Sequence, residues 1–296
     1  KEISWRTFRA TVFKTASALK AAGIQPGDRV AIYSDNSAEW ITFDLATLAL
    51  GAVSVPIYAT NSRDQADFIL KDSGSRIILV GNQEQYDAAL QIMQAGSTLE
   101  QVIVAKKAVW VEKDRSTYLE DFIAKHAEEF EISEKEADDI ATIIYTSGTT
   151  GKPKGVMLTH GNFHNIYVSH FEYFKFKNFH NEHSLAFLPL THVFERGWTM
   201  LCLFGAAKVS FLEDTKQIAT ALTEVRPTMM CAVPRFWQKI YAGVQDMTQK
   251  SSATKKNIFA WALKVGAELA ELKRVEKAVP LSLGVRYKLA DTLVFS

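Results

Sequence analysis

Apolar residues recur along this chain with two periods that alternate. Phe8, Val12, Ala16 and Leu19 fall at helical spacing over residues 5–22, and Gly23 supplies a stop. "QPGDRVAIYS" then reads as a turn into a strand from Val30 to Tyr33. Asn36 and Glu39 have the spacing of a capping box for a helix to about Leu50. "VSVPIY" is the next strand. Ser62 and Gln65 repeat the capping pattern, ahead of a helix whose apolar face holds Ala66, Ile69 and Leu70. "RIILV" and "QVIVA" read as strands. Strands separated by helices of this length predict βαβ units around a parallel sheet, an α/β fold.

The second half continues the alternation. Ile140 to Tyr145 form an apolar, β-branched strand, and Thr159 caps a helix to about Phe174. "SLAFLPL", "AKVSF" and "TMMCAV" read as strands, with helices over 193–204 and 215–225. Residues 128–139 carry seven acids against Lys135 alone and read as a solvated connector. One stretch imitates a membrane span, "ITFDLATLALGAVSVPIYA" at 41–59. Gly51 and Pro56 interrupt it, and Asp44 puts a charge near its middle, where insertion costs about 2.5–3.5 kcal/mol. A buried helix followed by a buried parallel strand accounts for it better.

Composition narrows the class. The 296 residues are 47% hydrophobic and 23% charged, as in a soluble globular protein, and the net charge of +1 argues against a dedicated nucleic-acid binder. Cys202 and Cys231 make no CxxC pair and no leader pattern opens the chain, so a reducing cytoplasm is expected. From Arg235 onward, 11 basic residues face 5 acids. A solvated helix face is the simpler account of this tail. The alternative is an approach surface for anionic lipid or an anionic cofactor, with peripheral contact at the inner membrane surface.

The chemistry concentrates at "YTSGTTGKPKGVMLTHGN", residues 145–162. Glycines let the backbone turn sharply and aim successive N–H groups at a guest. Hydroxyls add donors, and Lys152 and Lys154 add positive charge. Thr146, Ser147, Gly148, Thr149, Thr150, Gly151, Lys152, Lys154 and Gly155 together suit a polyphosphate at a strand's C-terminal edge. A Walker loop needs four residues between Gly and Gly-Lys-Ser/Thr, but only two separate Gly148 from Gly151, and Pro153 follows the lysine. No G-x-G-x-x-G fingerprint is present.

This run resembles the signature loop of the adenylate-forming enzymes, which include acyl-CoA synthetases, peptide-synthetase adenylation domains and luciferases. Residues 23–60, "LAFLPLTHVFERG" and "RPTMMCAVPRFW" extend the likeness along nearly the whole chain. "LPLTHVFER" and "VPRFW" look most like the long-chain fatty acyl-CoA synthetase branch. The resemblance implies the large N-terminal domain of an AMP-binding ligase, with ATP, Mg²⁺ carried in by ATP, a fatty acid and coenzyme A as ligands. It places His192 near the α-phosphate and the acyl carboxylate, and Trp237 at the gate of an acyl tunnel. The alternative for Trp237 is a buried core aromatic. Glu195 and Arg196 are weaker candidates, expected to pair with each other or to cap a helix. His160, His164, His180 and His183 match no metal-ligand spacing, so no protein metal site is expected.

The family's later ATP-side motifs are not found. No Tyr-Gly-x-Thr-Glu stretch occurs, and "LADTLVFS" closes the chain at Ser296. Residues 1–296 are therefore expected to be a partial AMP-binding domain that does not complete acyl-CoA synthesis alone. A fatty acyl-AMP ligase or another acyl/aryl-CoA ligase is the rival within the class. An ATP-binding module without ligase turnover is the rival outside it.

Overall fold

The computed structural model describes residues 2–112, 115–146, 153–175 and 178–295. They fall into two compact units, 1–231 and 232–296. In the first unit the order is α1 (Trp5–Ala21), β1 (Arg29–Tyr33), α2 (Ala38–Ala49), β2 (Val53–Ile57), α3 (Arg63–Ser73), β3 (Ile77–Val80), α4 (Gln83–Gln94), β4 (Gln101–Val104), β5 (Ser116–Tyr118) and α5 (Leu119–Ile123). There follow β6 (Ile140–Thr146), β7 (Lys154–Thr159), α6 (His160–Phe174), β8 (His183–Ala186), α7 (Val193–Phe204), β9 (Lys208–Phe211) and α8 (Ile218–Val225).

The main sheet runs β5-β4-β3-β1-β2-β6-β7, parallel except for the antiparallel pair β6–β7. Its central strands are apolar on both faces because both are covered. Val30, Ile32, Ile77, Leu79 and Ile103 pack with α1 and α2. Ala31, Tyr33, Ile78, Val80, Val102 and Val104 pack with α3 and α4. This is the burial expected of parallel strands between helical layers. A smaller parallel pair, β8–β9, is joined through α7.

Local chemistry sets several boundaries. Ser62 and Gln65 make the expected reciprocal cap of α3, and Thr159 caps α6 in the same way with Asn162. The cap of α2 is Ser37, which accepts the Trp40 N–H, and not the expected Asn36. Asn36 bonds elsewhere, as described below. "TMMCAV" forms a single bridge, Met229 to Ser184, in place of the expected strand. The expected loop over 146–155 is shorter, because Thr146 ends β6 while Lys154 and Gly155 already belong to β7. No described helix is long and apolar enough to cross a membrane. The segment at 41–59 is α2 followed by β2, as the sequence indicates.

Asp44 is the reason that segment carries a charge. Its carboxylate receives Nε and Nη2 of Arg196 at 2.9 and 2.6 Å, with both side chains fully buried. Arg196 Nη1 donates to the Thr142 hydroxyl at 2.7 Å, and that hydroxyl donates to the Ser54 carbonyl at 2.7 Å. The guanidinium also lies 5.8 and 5.3 Å from the ring centroids of Trp40 and Phe163. Glu195 and Arg196 therefore do not pair with each other. The Arg196 partner is 152 positions away.

The second unit holds α9 (Pro234–Gln249), α10 (Ala253–Arg274) and α11 (Leu281–Ala290). Ala262, Val265 and Leu269 of α10 pack with Leu283 and Ala290 in a small core of their own.

Removing one member of a buried ion pair strands the other charge, at a cost of about 3–5 kcal/mol. Asp44→Ala and Arg196→Ala should each lower the free energy of unfolding by that amount in denaturant titrations. Loss of less than 1 kcal/mol in both variants would show that the pair does not hold the core together.

Candidate active site

Strand β6 delivers the signature loop to the sheet edge. Ala141, Thr142, Ile144 and Tyr145 are buried, and the strand ends at Thr146. Tyr145 also donates from its hydroxyl to Asp72 of α3 at 2.6 Å, which tethers that end. The chain returns as β7 with Thr146 opposite Lys154 and Tyr145 opposite Gly155. The signature thus begins at the end of β6 and closes in β7, two antiparallel neighbours. Ser147, Gly148, Thr149, Thr150, Gly151 and Lys152 lie outside the described residues. Gly155 has a packing reason of its own, since a Cβ there would come within 2.8 Å of Ile143 Cγ2 and 3.2 Å of Tyr145 Cζ.

A pocket of about 540 Å³ opens at this place. Thr146 and Pro153, which stand on either side of residues 147–152, line it together with His192, Tyr58, Asn61 and Gln65. Thr146 ends β6 and Tyr58 follows β2, so the pocket sits at the carboxyl edge of the parallel sheet, where open α/β folds bind ligands. Its apolar side includes Ile69, Ile144 and Val156. Burial pushes the Tyr58 hydroxyl's pKa above its ordinary value, so it stays a neutral donor.

His192 is the N-cap of α7 and is exposed. Its Nδ1 accepts the Phe194 N–H at 3.2 Å. In the neutral ring the proton is then on Nε2, which becomes a donor. The approach to His192 is tied down at several points. Thr191 Oγ1 donates to the Ile57 carbonyl at 3.4 Å, and the His192 N–H donates to the Pro189 carbonyl at 2.9 Å. Asn36 bonds Leu188 and Leu190, and Glu195 accepts the Leu188 N–H at 3.0 Å. Glu195 is fully buried, and burial pushes its carboxyl from 4.5 to about 7. Hydrogen bonds from Leu188, Cys231 and Thr199 oppose that shift without cancelling it.

The chain matches the protein-family model described as "AMP-binding enzyme" over residues 1–287. It belongs to the AMP-binding enzyme family. Among relatives of this family, the human long-chain-fatty-acid–CoA ligase ACSBG2 is 31% identical over an alignment 296 positions long, which covers 96% of this chain and 43% of that protein. The long-chain-fatty-acid–CoA ligase FadD15 of Mycobacterium bovis is also 31% identical, over 95% of this chain and 46% of that protein. The chain thus spans less than half the length of these relatives. Among solved structures, ATP-bound MatB from Rhodopseudomonas palustris superposes with a TM-score of 0.68 at 28% identity, covering 81% of this chain and 46% of that one.

Within this AMP-binding domain, Thr146 and His192 are brought to one pocket, and Lys154 and Gly155 stand in the strand beside it. Trp237 belongs to the second unit, in the first turn of α9, and is 53% exposed, so it is not a core aromatic. His183 bonds Ser210, while His164 and His180 are exposed. Asn36 and Glu195 are the residues that sequence reasoning misassigned. Their partners are backbone groups of a segment whose position spacing along the chain does not reveal.

The raised Glu195 carboxyl has a signed consequence. The folded state holds this proton to higher pH than the unfolded chain does. Stability from the group is fully present below pH 4.5 and is lost as pH rises through about 7. Glu195→Gln lacks that loss, so between pH 4 and pH 8 the variant should gain on the native chain by on the order of 3 kcal/mol. A pH-independent difference in unfolding free energy would show that the Glu195 carboxyl titrates alike in the folded and the unfolded chain.

Proposed function

We propose that this chain is the ATP- and acyl-binding part of a long-chain fatty acid–CoA ligase. One observation carries the reading: Thr146 and Pro153, on either side of the glycine- and lysine-rich stretch, share a pocket with His192. A fatty acid carboxylate would attack the α-phosphate of ATP, giving acyl-adenylate and pyrophosphate. The thiolate of coenzyme A would then attack the acyl carbon and release AMP. The names of the relatives support this substrate class.

The roles follow from charge. An anionic nucleophile approaching an anionic phosphate chain needs fixed donors that offset charge moving toward pyrophosphate. The stretch from Thr146 to Gly155, with Lys152 and Lys154, is assigned this task. The Nε2–H of His192 would donate to the oxygen that gains charge as the carboxylate reacts. The described pocket lining holds hydroxyls and amides but no carboxylate. A Mg²⁺ ion would therefore be held chiefly by phosphate and water, and would supply further charge neutralisation there. A cytoplasmic location belongs to the same proposal, in keeping with two free thiols at Cys202 and Cys231.

The test uses the complete protein that contains this chain, with fatty acid-dependent pyrophosphate release as the readout. Lys152→Ala and Thr149→Ala should each raise the barrier, by about 2.7–4 kcal/mol where a transition-state donor is lost. Unchanged rates in both variants would refute the assignment of the loop. Absence of any fatty acid dependence would favour an ATP-binding module, and adenylate formation without transfer to coenzyme A would favour an acyl-AMP ligase.

Trp237→Ala addresses the acyl side. If Trp237 gates the tunnel, the variant shifts chain-length preference or basal adenylation more than it shifts the KM for ATP. A collapse of ATP affinity with a flat chain-length profile would remove the gate assignment.

A further inference from the structure

Residues 187–191 connect β8 to α7 and carry the chain to His192. Two polar side chains from different elements hold the backbone of the same residue there, Leu188, one at its carbonyl and one at its N–H. Asn36, between β1 and α2, donates to the Leu188 carbonyl at 2.7 Å and to the Ala186 carbonyl at 3.4 Å, and accepts the Leu190 N–H at 2.9 Å. Glu195, in the first turn of α7, accepts the Leu188 N–H at 3.0 Å and the Thr199 hydroxyl at 3.3 Å. Both are buried, with Glu195 at 0% exposure.

Among the described residues, Glu195 has no cationic partner. Its neighbour Arg196 is committed to Asp44 and Thr142. The other titratable groups facing it are Cys231, and Cys202 beyond; burial pushes both thiols up, Cys202 to about 12, so neither carries charge at neutrality. A buried carboxylate without a counter-charge is costly, and a glutamine could accept the same N–H at lower cost. What the carboxylate adds is a stronger, charge-assisted grip on Leu188, four residues before His192.

We propose that Asn36 and Glu195 are positioning residues that act on the ligase reaction through His192, by fixing the segment that sets where its ring stands. The proposal rests on the reading of His192 given above. Misplacement of a reacting group by about 1 Å can slow a reaction about 100-fold, which sets the scale of the effect. Because burial raises the Glu195 carboxyl to about 7, the grip strengthens as pH rises through neutrality.

The experiment is steady-state pyrophosphate release by the complete protein, with kcat and KM for ATP read separately across pH 6 to 9. Glu195→Ala and Asn36→Ala should lower kcat about 100-fold and leave the KM for ATP nearly unchanged. Glu195→Gln should recover most of kcat at neutral pH and lose the step in kcat near pH 7. Added to His192→Ala, Glu195→Ala should cause no further loss, because the two act as one unit. Equal losses from Glu195→Ala with and without His192 would overturn the proposal and leave a general effect on folding. A slow His192→Ala variant beside a normal Glu195→Ala variant would overturn the positioning role alone. Full activity in His192→Ala would overturn both it and the reading of His192. Should Glu195→Ala fail to fold, an unaltered pH profile in Glu195→Gln is sufficient to refute it.

Discussion

The candidate site depends on one buried ion pair. Arg196 and Asp44 meet in a fork at 2.6 and 2.9 Å with no exposed surface, and Thr142 completes the set. Three elements converge there: α2 through Asp44, β6 through Thr142 and α7 through Arg196. One helical turn before Arg196 stands His192, whose carbonyl accepts the Arg196 N–H at 3.1 Å. Four residues along β6 from Thr142 stands Thr146. The pair therefore fixes the spacing between the two walls of the pocket. An apolar trio of similar volume could fill the space with equal or greater stability. It would lack the directional bonds that hold strand and helix in one relation, and this is the advantage that a planar, five-donor guanidinium offers.

Around this pair, the pocket is assembled from places where regular structure stops. Strand β6 stops at Thr146, β2 stops before Tyr58, and α7 starts after His192. Strand ends and helix starts leave backbone groups without ladder partners, and these are the groups a ligand can use. The same incompleteness explains why side chains such as Asn36 and Glu195 are drawn to the segment before His192. They take the place of a ladder that ends with β8.

Much of this architecture was legible in the sequence, because it rests on local patterns. The β-branched runs at 30–33, 77–80 and 101–104, and the caps at Ser62 and Thr159, each report a structure formed by their own neighbours. The signature loop and His192 were singled out as candidates through a motif. Strand β7 was not, because Lys154, Gly155, Val156 and Met157 are exposed and their polar members belong to the motif. Nor was the single bridge at Met229 foreseeable from an apolar run that reads as a full strand. The Arg196–Asp44 pair and the bonds from Asn36 span 150 positions or more, and no periodicity encodes such distances. A lone acid in an apolar helix was the one visible trace. Asp44 excluded a membrane span, and with hindsight it also called for a buried cation.

The most direct test is a crystal structure of the complete protein bound to a non-hydrolysable analogue of a long-chain acyl-adenylate. The account requires the phosphate to lie at the β6–β7 connection beside Thr146, and the acyl carbonyl to lie within hydrogen-bond reach of His192 Nε2. An analogue bound away from the pocket shared by Thr146, Pro153 and His192, with His192 facing solvent, would contradict it.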